Sequence, residues 1–233
     1  DLTSYNASDW SVAFGGKPLF TAQRPAVYGG SGTALPQPIT VAPTVRANDR
    51  KKCELDTATN ECKANTTTAV GGMMVAFGTG RNVATEDQAS TTVQTVYSVL
   101  DNTRYRYRAE ASGVPKRLEI HPRKTCTTGD GEKCIDVAAP KALGAGVTTA
   151  ELLKQTTTEV SGSQQATLGQ DPLKATNWGS HNGWYLDLPS TGERLLKPLE
   201  FYDNTNILTV WSQVPAKGSN VDATIESCEA GSV

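Results

Sequence analysis

Apolar positions in this chain come in short runs, either alternating with polar residues or continuous, and each run is bounded by Gly, Pro, Asn or Asp. Such runs, at this length and between such breakers, predict β-strands rather than helices. Met73–Phe77 (MMVAF) is apolar on both faces. Val93–Leu100 (VQTVYSVL) places Val93, Tyr97 and Val99 on one side and Val96 and Leu100 on the other. Two-sided burial is expected of strands inside a layered structure. Gly183–Leu188 (GWYLDL) reads as a compact strand, and Ile207–Val214 (ILTVWSQV) as the clearest late one.

Weaker signals fill the intervals. Asp9–Phe20 (DWSVAFGGKPLF) reads as two short strands around a Gly-Gly turn. Gln37–Arg46 (QPITVAPTVR) carries Ile39, Val41 and Val45 at alternate positions, but its prolines allow only a short or edge strand. Arg104–Arg108 (RYRYR) alternates strictly, with arginines on one face and tyrosines on the other. Lys116–Pro122 (KRLEIHP) predicts another strand, leading into the Cys126–Cys134 interval. Between Met73–Phe77 and Val93 lie Gly78 and Gly80, which permit turn conformations closed to other residues, and a polar loop. Residues 140–176 are low in aromatics and read as a long surface insertion, with a short helix over Glu151–Gln155 capped by Thr149. The whole chain, 1–233, therefore reads as a single all-β region of antiparallel strands with long loops: a sandwich, barrel or propeller. Asp1-Leu2 and Asp187-Leu188, each followed by a polar turn, form a faint echo of the sort that propeller blades repeat.

Composition supports this class. The chain has 233 residues, of which 37% are hydrophobic, with 21 Gly and 12 Pro to supply turns. Net charge is −2, which argues against sequence-independent nucleic-acid binding, a mode that needs a basic excess. The cationic face of Arg104–Arg108 accordingly reads as a solvated strand face. No apolar run approaches the roughly 18–20 residues that span a bilayer as a helix.

Cysteine spacing adds a compartment. Cys53 and Cys62 bracket ELDTATNE, and Cys126 and Cys134 bracket TTGDGEK. Both intervals are turn-forming, so each pair predicts a disulfide across a hairpin neck, worth on the order of 2–3 kcal/mol in the chain-entropy model. Zinc ligand pairs sit closer together, and His121 and His181 do not complete a finger pattern. Disulfides imply an oxidising compartment. Cys228 is left over, so it reads as a free thiol or as the partner of a cysteine outside this chain.

Catalytic chemistry has little to stand on. His121 sits before a proline, and His181 lies in WGSHNGW between Trp178 and Trp184. That aromatic cluster reads as the packed start of a strand, with a small sugar platform as the sharper alternative. Asp187 and Glu193 flank a turn and could face each other as glycosidase carboxylates do. The plainer expectation is that Asp187 and Arg194 tie the turn together. Asp130 and Glu132 fall short of a calcium loop, and Gly78-Thr79-Gly80-Arg81 lacks the spacing of a phosphate loop. No residue is assigned a catalytic, cofactor or metal role.

Taken in order, WSVAFGGKPLF, QPITVAPTV, GGMMVAFGTGR with Asp87, VQTVYSVLD, NGWYLDLPSTGER and VWSQVP with Cys228 downstream resemble the C-terminal domain of PilY/PilC-type proteins. These are tip-associated adhesins and assembly factors of type IV pili. The resemblance runs from about Trp10 to Cys228 and is sparse across 47–70 and 103–176. It implies a modified β-propeller of several blades, of which this chain would be a fragment, in a secreted Gram-negative protein at the pilus tip or outer membrane. It also implies roles in pilus assembly, twitching motility and attachment to host cells or abiotic surfaces, with minor pilins as partners and no catalysis. The family's calcium loop would lie upstream of Asp1-Leu2, so calcium belongs to the full-length protein and to no residue here. Loops 48–66, 123–136 and 140–176 are the expected binding elements. The competing expectation is a secreted carbohydrate-active or quinoprotein-like propeller enzyme, and a third is a structural spacer.

Overall fold

The structure is a computed structural model that describes residues 18–24, 35–108, 117–121, 124–129, 131, 134, 152–160, 163–168, 174–178, 180–203, 205 and 207–215. The chain divides into two compact units, one of Asp1–Thr21 with Asp101–Val147 and one of Ala22–Leu100 with Thr148–Val233. Among the described residues the regular elements are strands apart from one four-residue helix, so the all-β expectation holds.

The larger unit is organised by a five-stranded sheet. Its strands in chain order are β1 (Thr44–Ala47), β2 (Met73–Gly78), β3 (Thr95–Asp101), β4 (Leu153–Gln155) and β5 (Gly183–Asp187). Their order in space is β4-β5-β3-β2-β1. Strands β1 and β2 pair antiparallel, as do β3 and β5, while β4 joins β5 in parallel. That parallel pair departs from the purely antiparallel expectation. It needs a long crossover, and the hairpin of Thr157–Val160 with Ser163–Leu168 lies within it.

Burial follows the sequence pattern closely in the middle of the sheet. Val96, Tyr97, Val99 and Leu100 of β3 are all buried, so both faces of this strand are covered. On one face Val96 packs with Leu188, Leu195 and Leu199, and Trp184, Leu186 and Leu208 lean against them. On the other face Phe77 stacks on Tyr97 at 5.4 Å, with Tyr185 beyond it at 6.3 Å. The segment around Ala22 and Gln37 contacts this second face: Tyr97 donates its hydroxyl to Gln37 Oε1 at 2.5 Å. Burying four such side chains removes enough apolar surface to contribute about 1.5–3 kcal/mol each.

Three sequence expectations are corrected. The helix expected over Glu151–Gln155 is overturned in its described part, because Leu153–Gln155 is strand β4. Leu152 and Gln155 are buried there, and pairing with β5 outweighs the helix propensity of Leu, Lys and Gln. Ile207–Val214 is not a full strand. Leu208–Thr209 pairs with Glu200–Phe201, Gln213 bridges separately to Arg194, and Trp211 between them is 54% exposed. The polar loop after β2 is not wholly irregular, because Thr85–Gln88 makes one helical turn, α1.

In the smaller unit Tyr105–Arg108 and Arg117–Ile120 are both strands, as the sequence predicts, and they pair antiparallel. Arg106 binds Glu119 across the pair at 2.8 Å. Tyr105 and Tyr107 on the opposite face are exposed as well, so alternation alone does not mark a buried side. Most of the expected N-terminal strand pair, together with Cys228, lies outside the described residues.

Candidate functional site

The sequence offered cystine loops, the Gly-Thr-Gly-Arg turn, the aromatic-histidine cluster, the Asp187/Glu193 carboxylates and the weaker Asp130/Glu132 loop as places to look. Both disulfides are present. Cys53 bonds Cys62 and Cys126 bonds Cys134. The first closes the Leu55–Asp56/Glu61–Cys62 hairpin. Asp56 turns that loop by accepting the Ala58 N–H at 2.9 Å, and Asn60 and Asn65 adopt left-handed conformations that asparagine tolerates. Two disulfides fit an extracellular or periplasmic environment. Among the described residues, no helix is long and apolar enough to cross a membrane.

The Gly-Thr-Gly-Arg turn is tied by hydrogen bonds to other segments of the chain. Thr79 N–H donates to the Thr95 carbonyl at 3.0 Å, and Thr95 N–H returns to Thr79 Oγ1 at 2.8 Å. Leu195 N–H donates to the Thr79 carbonyl at 3.1 Å. The Arg194 side chain then joins three segments through their carbonyls. It donates to Gly192 at 3.0 Å, to Arg81 at 2.7 Å and to Ser90 at 3.1 Å. Only 3% of Arg194 is exposed, and burial lowers its pKa from the usual guanidinium value.

Asp87, on α1, faces the same junction. Its Oδ1 accepts from Arg81 Nε at 2.9 Å and Nη2 at 2.8 Å. Its Oδ2 accepts the N–H groups of Val83 and Ala84, each at 3.0 Å. The Arg81 hydrogen bond first, and the Val83 backbone next, hold the carboxyl at about 2, well below the usual carboxylate range. Arg81 is raised in turn by the same hydrogen bond. So Arg81 and Asp87, six residues apart in one loop, fix the connection between strands.

A cleft of about 320 Å³ opens beside this junction, lined by Gln37, Arg81, Asp87, Ser90, Gln94 and Arg194 among others. Its chemistry is positional rather than reactive. A carboxyl held near 2 is not a proton donor at neutral pH. Both guanidiniums are committed to hydrogen bonds that hold the chain in place, and the Ser90 hydroxyl meets Thr92 Oγ1 at 3.3 Å.

Asp187 and Arg194 do not tie a turn together. Asp187 instead accepts from Thr95 Oγ1 at 2.9 Å and pairs with Lys154 Nζ at 3.5 Å. Thr95 Oγ1 also accepts from Gln37 Nε2 at 2.8 Å, so a polar chain runs Tyr97, Gln37, Thr95, Asp187, Lys154 across the sheet. Glu193, the other carboxylate proposed with Asp187, accepts from the Ser190 N–H and the Ser212 hydroxyl. Sequence reasoning missed Gln37 and Lys154 altogether. Nothing local marks them, because their partners lie dozens of residues away.

The aromatic cluster is packed, as its plainer reading held. Trp178 is 8% exposed, and Trp184 leans on the core. His181 Nδ1 lies 3.0 Å from Ser180 Oγ and 3.3 Å from the Asn177 carbonyl, a turn contact in which, among the described residues, no carboxylate orients the ring. Trp178 and Trp184 also line a second cleft, of about 150 Å³, with Arg46, Asn48, Asp49 and Phe201. Among the described residues, no three His, Cys, Asp or Glu side chains gather as a metal site would require. Asp130 and Glu132 lie outside the described residues.

No family model, no curated protein and no solved structure matches this chain.

Proposed function

We propose that this chain is a binding scaffold of a type IV pilus tip-associated adhesin and assembly factor. It acts by contacts with minor pilins and with host or abiotic surfaces rather than by catalysis. The observation that carries this reading is the Thr79–Arg81–Ser90–Arg194 junction. The segments whose wording resembles PilY/PilC-type proteins, FGTGR, QTVY and GWYLDLPSTGER, come from distant parts of the chain. They meet there through Thr79–Thr95, Thr79–Leu195 and Arg81–Arg194 hydrogen bonds. Residues that act together structurally are those a family would retain together, so their joint presence supports membership.

The propeller is part of the same proposal. In space β1, β2, β3 and β5 follow chain order, as the strands of a propeller blade do, and β4 is an added outer strand. In this reading the stapled Cys53–Cys62 hairpin projects from the frame of the five-stranded sheet, and stapled loops of this kind are where recognition residues are commonly carried. The calcium site of the family would lie outside this chain.

The test is genetic and uses the full-length protein in its own host. Deleting the gene is expected to reduce surface pili, twitching and attachment. Complementation with a copy lacking residues 54–61 is expected to restore pilus number while attachment stays low. Unchanged pili and attachment in the gene deletion would refute the reading outright.

A further inference from the structure

The polar chain across the central sheet has the parts of a reaction centre. Thr95 Oγ1 donates to Asp187 Oδ1 at 2.9 Å, and Lys154 Nζ stands 3.5 Å from the other oxygen of that carboxylate. A hydroxyl, a base within its reach and a third group that orients the base make an activated nucleophile. The same Oγ1 lies 2.8 Å from Nε2 of the Gln37 amide. The Tyr97 hydroxyl donates to Gln37 Oε1 at 2.5 Å, which is where negative charge would collect if the amide carbon were attacked. The Val93 carbonyl accepts from Gln37 Nε2 at 3.0 Å and fixes the amide from its other side. Thr95 and Tyr97 are each 1% exposed and Gln37 4%, so the group is shielded from bulk water.

We infer that Thr95 and Gln37 join in a side-chain ester, which the folded chain makes once and by itself. Thr95 Oγ1 attacks Cδ of Gln37, one C–N bond (about 1.33 Å) beyond the nitrogen it already meets. The last torsion of a glutamine is broad, so the amide turns its nitrogen aside and opens the line to Cδ. Asp187 takes the hydroxyl proton as the O–C bond forms, and Tyr97 stabilises the charge on Oε1. The carbonyl then re-forms, the C–N bond breaks, and the proton passes to Nε2, which leaves as ammonia. The step needs no co-reactant. Gln37 lines the larger cleft, through which ammonia departs. Near-complete burial of Thr95 then slows hydrolysis of the ester. The bond ties the segment of Gln37 to β3 across 58 residues and, unlike the two disulfides, withstands reduction. This cross-link is a maturation step without turnover, and it does not depend on the pilus-tip reading.

The experiment is intact-mass spectrometry of the purified chain after reduction and denaturation. The parent is expected to be lighter than its sequence by the mass of ammonia. A tryptic digest is expected to release the peptides of Gln37 and Thr95 as one joined species. Mild hydroxylamine, which cleaves esters and spares amides, is expected to part them. Thr95→Val removes the hydroxyl and is expected to show the full mass. Thr95→Ser keeps the nucleophile and is expected to restore the loss. Asp187→Asn and Tyr97→Phe are each expected to slow the reaction about a hundredfold. The inference is overturned if the parent, held folded at neutral pH, keeps its full mass. It is equally overturned if the missing ammonia maps to a single peptide, or if hydroxylamine leaves the pair joined. A loss of water in place of ammonia would put the bond between Lys154 and Asp187 and would overturn it too. So would Asp187→Asn and Tyr97→Phe variants that both cross-link as fast as the parent.

Discussion

The central sheet and the Cys53–Cys62 hairpin are both β-structure within one unit, yet they are held by different physics. In the sheet, Val96, Tyr97 and Val99 are at most 1% exposed, and apolar burial on two faces does most of the work. In the hairpin every residue from Glu54 to Glu61 is exposed or half-exposed, and Leu55 is 39% exposed. Its order comes from the disulfide, from the Asp56 turn and from one long hydrogen bond, Cys53 N–H to the Ala175 carbonyl at 3.1 Å. A covalent staple fixes a loop without asking its side chains to face inward. The hairpin is therefore free to vary its surface chemistry, whereas the sheet is not.

The sharpest challenge to the sheet is Gly183→Ala. Gly183 starts β5 at φ +130°, in register with Val99, and a Cβ there would overlap the Ser98 carbonyl oxygen. The partner is backbone, so it cannot swing aside. Positive-φ strain and overpacking together are expected to destabilise the unit by about 4 kcal/mol. A urea melt measures this. A loss below about 1 kcal/mol would mean that β5 is not packed as described.

Next in size is Arg194→Ala. It strands the carbonyls of Arg81, Gly192 and Ser90, which the guanidinium now satisfies in a nearly dry site. The expected cost is about 3 kcal/mol. Arg194→Lys should recover little, because one ammonium on a flexible stem cannot reproduce the planar fork. Full rescue by lysine would show that charge alone matters at this junction.

These two residues also mark where sequence reading stops. β2, β3 and β5 were legible because their apolar runs are self-contained and suited to burial on two faces. β4 was not: AELLKQ has good helix formers, and only pairing with a strand about 30 residues on makes it extended. Asp87 and Arg81 were legible as a loop pair because they are close in sequence. The Arg194 contacts span 113 and 104 residues and leave no local trace. Sequence logic instead paired Arg194 with the nearer Asp187, which the sheet turns toward Lys154.

On the hairpin side, the double variant Cys53→Ser/Cys62→Ser removes a constraint worth on the order of 2–3 kcal/mol. The loss should stay local. Hydrogen exchange and proteolysis are expected to rise across residues 54–66, while the urea midpoint of the sheet holds. If the midpoint falls in step with exchange, hairpin and sheet unfold as one, and the contrast drawn above fails.

Asp87→Asn is expected to have the smallest effect at neutral pH, since an amide oxygen can still accept from Val83 or Ala84 and the half-exposed Arg81 can turn to water. Its signature is instead a pH dependence. The folded Asp87 carboxyl titrates at about 2, and an unfolded one near about 3.9. A group depressed on folding stabilises the native state above its unfolded pKa and loses that contribution as pH falls through the folded value. The difference in Tm between parent and Asp87→Asn should therefore be constant above about pH 5, narrow below about 4 and close near 2. A gap that persists undiminished at pH 2 would locate the effect of Asp87 in shape rather than in its ionised bridge to Arg81. The junction would then rest on the Thr79 and Arg194 hydrogen bonds without help from the ion pair, and charge would play no part in the difference between the sheet and the stapled hairpin.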